Sequence, residues 1–290
     1  MIRWSHEQIG IYGGDMKPET IRYGTKSADQ VMDLYKAEAI GKRPVIILVH
    51  GGAFLFGDQK MKLIQPVITN AINRGYTVVS VDYRKAREAH FPGALADVKT
   101  CVRYIRAHAD DMLIDANRIT IWGESAGGYL ALMTVLTPTV KELDGDMEEY
   151  SDYSSSVDHL VVFYPPVEFF TMKNEYLSMG DEADGEGKFE SMFLGVKDIY
   201  QDKTACDASY WETYKNQLAE SFSLAAWIQV GDEHDTKVPY KQSRNFAERL
   251  STLENITVRF EQILGAGHED PIFFTDENID RILDWMGKID

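Results

Sequence analysis

Short apolar runs alternate along the chain with longer segments that carry apolar residues at helical spacing. The runs are nearly continuous in Val, Ile and Leu, which is typical of strands buried on both faces of a sheet. They predict strands at residues 45–49, 77–81, 119–122, 160–164, 224–230 and 258–264. Helical spacing predicts helices at residues 63–73, 94–107, 126–136, 240–250 and 278–286. This alternation predicts an α/β fold with a mostly parallel central sheet and helices on both faces.

All 290 residues are predicted to form a single domain, because a chain of this length can bury one large core. Residues 1–40 are amphipathic and lack strong apolar runs, so we expect an antiparallel edge or a partial cover. Residues 168–215 lie between two predicted strands and are rich in aromatic, Met and acidic residues. This insertion suits either a small cap over one end of the sheet or an ordinary excursion packed against the sheet edge. The acidic, serine-rich residues 141–156 are expected to form a surface loop.

Charge and composition exclude several classes of partner. The formal net charge of −16 argues against nucleic-acid binding, since that affinity comes largely from cationic side chains. The acidity also disfavours an anionic membrane surface, and no apolar run approaches the roughly 20 residues of a membrane-spanning helix. The first ten residues have no apolar signal-peptide core, and Cys101 has the pattern of a buried thiol, so a cytoplasmic protein is predicted. Histidines and cysteines do not occur at ligand spacing, so neither a metal nor a cofactor is expected.

The sequence GESAG at residues 123–127 is the strongest chemical signal. It follows the predicted strand 119–122 and precedes a predicted helix. A G-x-S-x-G turn in this context is sharp, because its glycines accept contacts that a Cβ would block, and the serine hydroxyl projects above the sheet. Ser125 is therefore predicted to be a nucleophile.

A serine hydroxyl attacks a carbonyl only with a base beside it and with donors for the oxyanion that forms. The glycine-rich sequence HGGAF at residues 50–54 follows the strand 45–49 and offers exposed backbone N–H groups. The sequence GAGHED at residues 265–270 places His268 on a loop after the last predicted strand. These two loops predict an oxyanion hole and a general base.

A carboxylate that orients the base is expected in the loop 231–239, which follows the strand 224–230. Three acids are available there, Asp232, Glu233 and Asp235, and the residues alone leave the choice open. The order of serine, acid and histidine along the chain is that of α/β-hydrolases, whereas chymotrypsin-like and subtilisin-like enzymes use other orders.

Taken together, these segments resemble the α/β-hydrolase esterases, near the bacterial acyl-ester hydrolases related to hormone-sensitive lipase, acetylxylan esterases and feruloyl esterases. HGGAF resembles the HGGG-type loop of the family, and GESAGG resembles its nucleophile elbow. Residues 81–98 resemble its tyrosine-arginine and phenylalanine-proline segment, and DTKVP and GAGH complete the set. The resemblance extends from about residue 45 to the C-terminus, and residues 1–40 and 140–215 match less clearly.

The resemblance implies a role for each matching residue. Ser125 is the nucleophile, His268 is the base and Asp235, which matches the D-x-x-V-P pattern, is the orienting acid. The backbone N–H groups of three residues form the oxyanion hole: Gly52, Ala53 and Ala126. Ala53 replaces a family glycine, so it still donates its N–H but has fewer backbone angles available. His50, Tyr83 and Arg84 are expected to fix nearby loops, and Glu124 is given no catalytic role.

Wall residues of the substrate pocket are expected where the loops at the carboxyl ends of the strands converge. The candidates are the apolar and aromatic residues near the elbow: Phe54, Tyr129, Tyr164, Pro165 and Trp211.

The expected function is hydrolysis of short-chain acyl esters by a serine carboxylesterase, with acetylated or feruloylated sugars among the candidate substrates. An amidase or peptidase with the same triad is the first alternative, and leaving-group preference separates the two. A non-catalytic relative that binds a small ligand or a partner protein is the second alternative. Because all three triad residues are present, catalysis is favoured over simple binding.

Overall fold

The computed structural model describes residues 17–38, 41–179, 187–219 and 222–289. In these residues eight strands form one sheet in the order β1-β2-β4-β3-β5-β6-β7-β8. The strands are β1 Glu19–Arg22, β2 Val31–Tyr35, β3 Arg43–Val49, β4 Thr77–Val81, β5 Ile114–Glu124, β6 His159–Phe163, β7 Leu224–Val230 and β8 Ile256–Gln262. Strands β3 to β8 run parallel, whereas β2 pairs antiparallel with β4 and β1 pairs antiparallel with β2 at the edge of the sheet. The predicted mostly parallel sheet is confirmed.

Helices cover both faces of the sheet. Those in the described part of the chain are α1 Gln65–Asn73, α2 Gly93–Ala107, α3 Ser125–Leu136, α4 Phe169–Met179, α5 Lys188–Leu194, α6 Lys203–Ala208, α7 Tyr240–Leu250 and α8 Asp276–Ile289. Apolar residues of α2, α3 and α7 share one core with the sheet, and those of α1 and α8 share the other. No helix in the described ranges has the length and apolar character needed to cross a bilayer.

Burial of β3 on both faces explains its continuous apolar sequence. Val45, Ile47 and Val49 belong to the core beneath α2 and α3, whereas Ile46 and Leu48 belong to the opposite core. Successive side chains of a strand point to opposite faces, so a central strand of a covered sheet needs an apolar residue at every position.

The six predicted strands and five predicted helices are all present, with some ends shifted. The largest shift is at β5, which begins at Ile114 and not at residue 119. Residues 115–118 at the start of β5 are partly or fully exposed and form no apolar run, so the apolar pattern predicts only the buried part of the strand. Residues 17–38 supply β1 and β2, the antiparallel edge expected of the N-terminal segment. Residues 1–16, 39 and 40 of that segment lie outside the described residues.

Most of residues 141–156 are at least partly exposed, as expected of a surface segment, but the segment does not begin as an irregular loop. Lys141–Asp144 forms a turn of 3₁₀ helix in which Leu143 is buried. Asp144 pairs with Lys99 at 2.6 Å and with Arg103 at 2.7 Å, both on α2. Asp144, one of the acidic residues that suggested solvent exposure, is thus the partner of two cations on α2, and these ion pairs hold the start of the segment against that helix.

Candidate active site

The nucleophile elbow is a strand-to-helix turn with almost no free space. Glu124 ends β5 in an extended conformation, and Ser125 begins α3 with a φ of 51°. A Cβ at Gly123 would overlap the carbonyl of Gly127, and a Cβ at Gly127 would overlap the carbonyl of Val49. Positive φ is costly for a residue with a side chain, and the tight packing around the turn maintains it. The glycines therefore allow the sharp turn that presents the Ser125 hydroxyl.

Three side chains form a continuous hydrogen-bonded chain above this turn. The Oγ atom of Ser125 lies 2.9 Å from Nε2 of His268, and Nδ1 of His268 lies 2.9 Å from Oδ2 of Asp235. Asp235 is fully buried, and its other carboxylate oxygen accepts the N–H groups of Lys237 and Val238. With Nδ1 donating to the carboxylate, Nε2 is left to accept the serine proton. The arrangement can therefore deprotonate Ser125.

The other acids of the loop have different surroundings. Asp232 accepts the N–H of Gly265 at 2.6 Å and contacts the ring of His234 at 2.6 Å. Burial tends to raise the pKa of Asp232, but these hydrogen bonds outweigh burial and lower it below its usual value. Glu233 is exposed. Asp232 thus joins two loops, and Asp235 is the carboxylate that contacts His268.

The glycine-rich loop brings unpaired N–H groups to the same place. Gly52 and Ala53 have φ values of 107° and 52°, and the Gly52 carbonyl accepts the N–H of Phe56 at 2.9 Å. Ala126 lies in the first turn of α3, where N–H groups lack helical partners. Within the described part of the chain, the N–H groups of Gly52, Ala53 and Ala126 donate no hydrogen bond. All three residues line the cavity that contains Ser125.

Glu124 supports this loop from below. It is only 2% exposed, and its Oε1 atom accepts the N–H of Gly51. A Cβ at Gly51 would overlap the carboxylate, which explains the first glycine of the loop. The other oxygen, Oε2, is buried without a partner among the described residues. Burial raises the pKa of Glu124 to about 7, although the Gly51 hydrogen bond and the charge of His268 act in the opposite direction.

His50 fixes the start of the same loop, as its sequence position indicated. Its Nε2 atom lies 3.1 Å from Oδ1 of Asp82, and its Nδ1 atom lies 2.7 Å from the Gly51 carbonyl. The hydroxyl of Tyr83 donates to the His50 carbonyl at 2.8 Å, and the two rings stack at 4.4 Å. The backbone that carries the N–H donors is therefore held by side chains on two neighbouring strand ends.

The cavity beside Ser125 has a volume of about 290 Å³. Phe54 lines it, as expected from the sequence. Much of the remaining wall comes from the insertion at residues 168–215, through Met172, Tyr176, Phe189, Glu190 and Tyr200. Residues 180–186 of the insertion lie outside the described residues. None of these five wall residues belongs to a motif, and the only signal for them was the aromatic and methionine content of the insertion.

The other four predicted wall residues do not line the cavity. Tyr129 is buried behind Phe54, and its hydroxyl donates to the carbonyl of Ser209 at 2.6 Å. Trp211 is buried against Phe246, with ring centroids 5.8 Å apart. Both side chains are large and mostly apolar, so full burial in the core stabilises them more than a position on a cavity wall.

Tyr164 and Pro165 lie close to the site but beneath its surface. The ring of Tyr164 packs against that of His268 at 4.5 Å, so it supports the base. Pro165 packs against α3 near Gly128, and Pro166, the next residue, reaches the cavity instead. The prediction missed the wall at this point by one residue because the turn after β6 directs consecutive residues to different sides.

The mostly parallel sheet carries a serine elbow, a histidine after its last strand and free N–H groups at the carboxyl ends of its strands. These features define an α/β-hydrolase with a serine-histidine-aspartate site. The BD-FAE family matches residues 32–250, which is most of the chain. The chain belongs to this family.

Similar proteins are named esterases. The chain is 27% identical over 268 residues to the esterase LipC of Mycobacterium tuberculosis, covering 92% of this chain and 60% of LipC. It is 25% identical to the esterase LipQ of the same organism, covering 93% of this chain and 62% of LipQ. The chain thus spans about 60% of the length of these curated relatives.

Solved structures show the same fold. A bifunctional GH43-CE protein of Bacteroides eggerthii has a TM-score of 0.80 and 25% identity, over 92% of this chain and 34% of that one. A truncated carbohydrate esterase from gut microbiota has a TM-score of 0.79 and 22% identity, over 94% of this chain and 97% of that one.

Proposed function

We propose that this protein is a serine carboxylic ester hydrolase that acts on short-chain acyl esters. The main support for the proposal is the pair of hydrogen bonds that joins Ser125 to His268 and His268 to Asp235, each 2.9 Å long. A buried carboxylate, an imidazole and a strained serine rarely meet for structural reasons alone, and free N–H donors line the same cavity.

The proposed reaction is a two-step acyl transfer. His268 takes the proton of Ser125 as the hydroxyl attacks the ester carbonyl, and Asp235 stabilises the imidazolium that forms. The N–H groups of Gly52, Ala53 and Ala126 would stabilise the oxyanion. His268 then protonates the leaving alcohol, and a water molecule, activated by the same base, releases the acid from the acyl-enzyme.

The size of the cavity supports a short acyl group. A volume of about 290 Å³ is at the small end of ligand pockets, which usually span about 300–1,000 Å³. The similarity to a carbohydrate esterase and to a GH43-CE protein supports acetylated or feruloylated sugars as substrates. We further propose that residues 168–215 act as a small cap, because they contribute much of the wall beside Ser125. Two buried free thiols, Cys101 and Cys206, support a reducing, cytoplasmic location.

Hydrolysis of p-nitrophenyl acetate, butyrate and octanoate, with p-nitroacetanilide as the amide, tests the proposal. We expect ester turnover that falls with chain length and that Ser125→Ala abolishes without a change in the unfolding midpoint. Retained turnover in Ser125→Ala would refute the assignment of the nucleophile. A preference for the anilide would make the protein an amidase.

A further inference from the structure

Several polar side chains in the cavity wall have no use in the proposed chemistry; Lys237 and Glu269 are exposed, whereas Glu190 and Tyr200 are less exposed. Glu190 on α5 lines the cavity, and in the described part of the chain its carboxylate has no partner beyond its own backbone N–H. Tyr200 lines the same cavity, and its hydroxyl is buried without a hydrogen-bond partner among the described residues. Burial raises the pKa of both groups, and the charge of Glu190 raises that of Tyr200 further, so the two groups are within electrostatic reach of each other.

Buried polar groups normally find partners, and leaving one unpaired is costly. We propose that Glu190 and Tyr200 form a polar subsite that binds hydroxyl groups on the alcohol half of the ester. The carboxylate can accept a hydrogen bond from one hydroxyl, and the phenol can donate to or accept from a second. The substrate class is thus an acyl ester of a polyhydroxylated alcohol, such as a sugar. This inference rests on the proposed function, because it assigns the leaving group of that reaction.

A cationic alcohol is the other ligand that a carboxylate among aromatic rings could attract. The surroundings disfavour it, because cations already lie against the rings. The ammonium group of Lys173 is 5.3 Å from the centre of the Tyr200 ring, and the guanidinium of Arg87 is 5.9 Å from that of Phe56. Lys237 also lines the cavity. Glu269 lines the cavity as well, so charge alone does not exclude a cation, but Lys173 and Arg87 already occupy the ring faces that a cationic ligand would need, whereas neutral hydroxyls do not compete for them.

The rest of the lining is mainly apolar and includes Phe54, Met172 and Val238. An ester of a purely apolar alcohol could enter, but it would leave Glu190 and Tyr200 unpaired. Sites built to hydrogen-bond a substrate hydroxyl discriminate strongly against analogues that lack it. The subsite would therefore set specificity for the alcohol and not for the acyl group.

Two acetate esters separate the subsite from the general chemistry: a monoacetylated methyl xylopyranoside and cyclohexyl acetate. Both carry a six-membered ring and give the same acetyl-enzyme, so a difference in kcat/KM reports acylation and recognition of the alcohol. The variants are Glu190→Leu and Tyr200→Phe. Glu248→Gln on α7 is the matched control, because its side chain is exposed at the surface.

We expect each pocket variant to lower kcat/KM for the sugar acetate by about tenfold, the scale of one lost hydrogen bond. For cyclohexyl acetate we expect a change of less than about threefold, and the control variant should match the wild type on both esters. Equal losses on the two esters, or no loss on the sugar acetate, would overturn the subsite. Efficient turnover of acetylcholine that Glu190→Leu removes would replace it with a cation site. A wild-type protein that hydrolyses neither acetate would instead refute the proposed function itself.

Discussion

The two sides of the cavity are built in different ways. On one side, the elbow and the glycine-rich loop follow buried strands, and Gly123 and Gly127 leave no room for even a Cβ. On the other side, side chains of the insertion form the cavity wall, and one of them, Phe189, is 41% exposed. The reacting groups are thus held by the backbone, whereas the surface that meets the substrate depends on side-chain identity. Catalysis should therefore be sensitive to backbone changes on the first side, and specificity should be sensitive to side-chain changes on the second.

The largest effect is expected at the acid of the triad. Asp235→Asn should lower kcat by about 10³–10⁴, because an amide favours the wrong imidazole tautomer and does not stabilise the imidazolium. Asp232→Asn is the control in the same loop. Since Asp232 contacts Gly265 and His234 but not His268, it should retain most of the activity. Steady-state kinetics on p-nitrophenyl acetate compares them, and equal losses would mean that Asp235 has only a structural role.

Phe193 on α5 connects the two sides of the cavity through its contact with Phe54 of the glycine-rich loop. It is fully buried and stacks on Phe54 with ring centroids 3.9 Å apart. Phe193→Ala should lower the free energy of unfolding by about 3–5 kcal/mol, because it leaves a cavity between α5 and the glycine-rich loop. Phe189→Ala, on the same helix but partly exposed, should cost less than about 1 kcal/mol. Urea denaturation measures both, and similar values would show that the insertion is not anchored through this contact.

The glycine-rich loop should respond to single methyl groups. A Cβ at Gly52 would collide with the carbonyl of Phe56, and the φ of 107° is unfavourable for alanine. Gly52→Ala should therefore displace the N–H donors and lower kcat by about 10²–10³. Ala53→Gly, one residue later, keeps the N–H and relieves a positive φ, so kcat should change by less than about threefold. A comparable loss in both variants would argue that loop rigidity, and not donor position, controls the rate.

Glu124 should make stability depend on pH. Burial raises its pKa from 4.5 to about 7, so the folded state holds a proton that the unfolded state releases. The stability of the wild type relative to Glu124→Gln should therefore be highest below about pH 4.5 and should fall by up to about 3 kcal/mol as the pH rises to 7. Glutamine can still accept the Gly51 N–H. Unfolding free energies at several pH values test this, with Glu248→Gln at an exposed position as a control, and parallel curves for wild type and Glu124→Gln would contradict it.

Sequence patterns were sufficient for the backbone-held side of the site. Continuous apolar runs located the central strands because a covered parallel strand needs apolar residues at every position. Glycines marked the sharp turns, and a serine between them marked the elbow. The positions of Ser125, Asp235 and His268 after β5, β7 and β8 followed from the order of strands, since the carboxyl ends of parallel strands lie at one edge of the sheet.

The side-chain wall could not be predicted in the same way. Tyr129 and Trp211 are as aromatic as Tyr176 and Phe189, and composition does not distinguish a buried ring from a pocket ring. Their positions depend on how α4, α5 and the segments after them pack on the sheet, which no short motif encodes. The same holds for Asp144, whose cationic partners Lys99 and Arg103 lie on α2, which is distant in sequence.

The central claim is that Ser125 is the nucleophile, activated by His268. A fluorophosphonate probe tests it directly, because the reagent forms a covalent bond only with an activated serine, and peptide mass spectrometry locates the adduct. We expect one adduct, on the peptide that contains Ser125, with labelling lost in Ser125→Ala and strongly slowed in His268→Ala. An adduct on another serine, or undiminished labelling of Ser125→Ala, would contradict it.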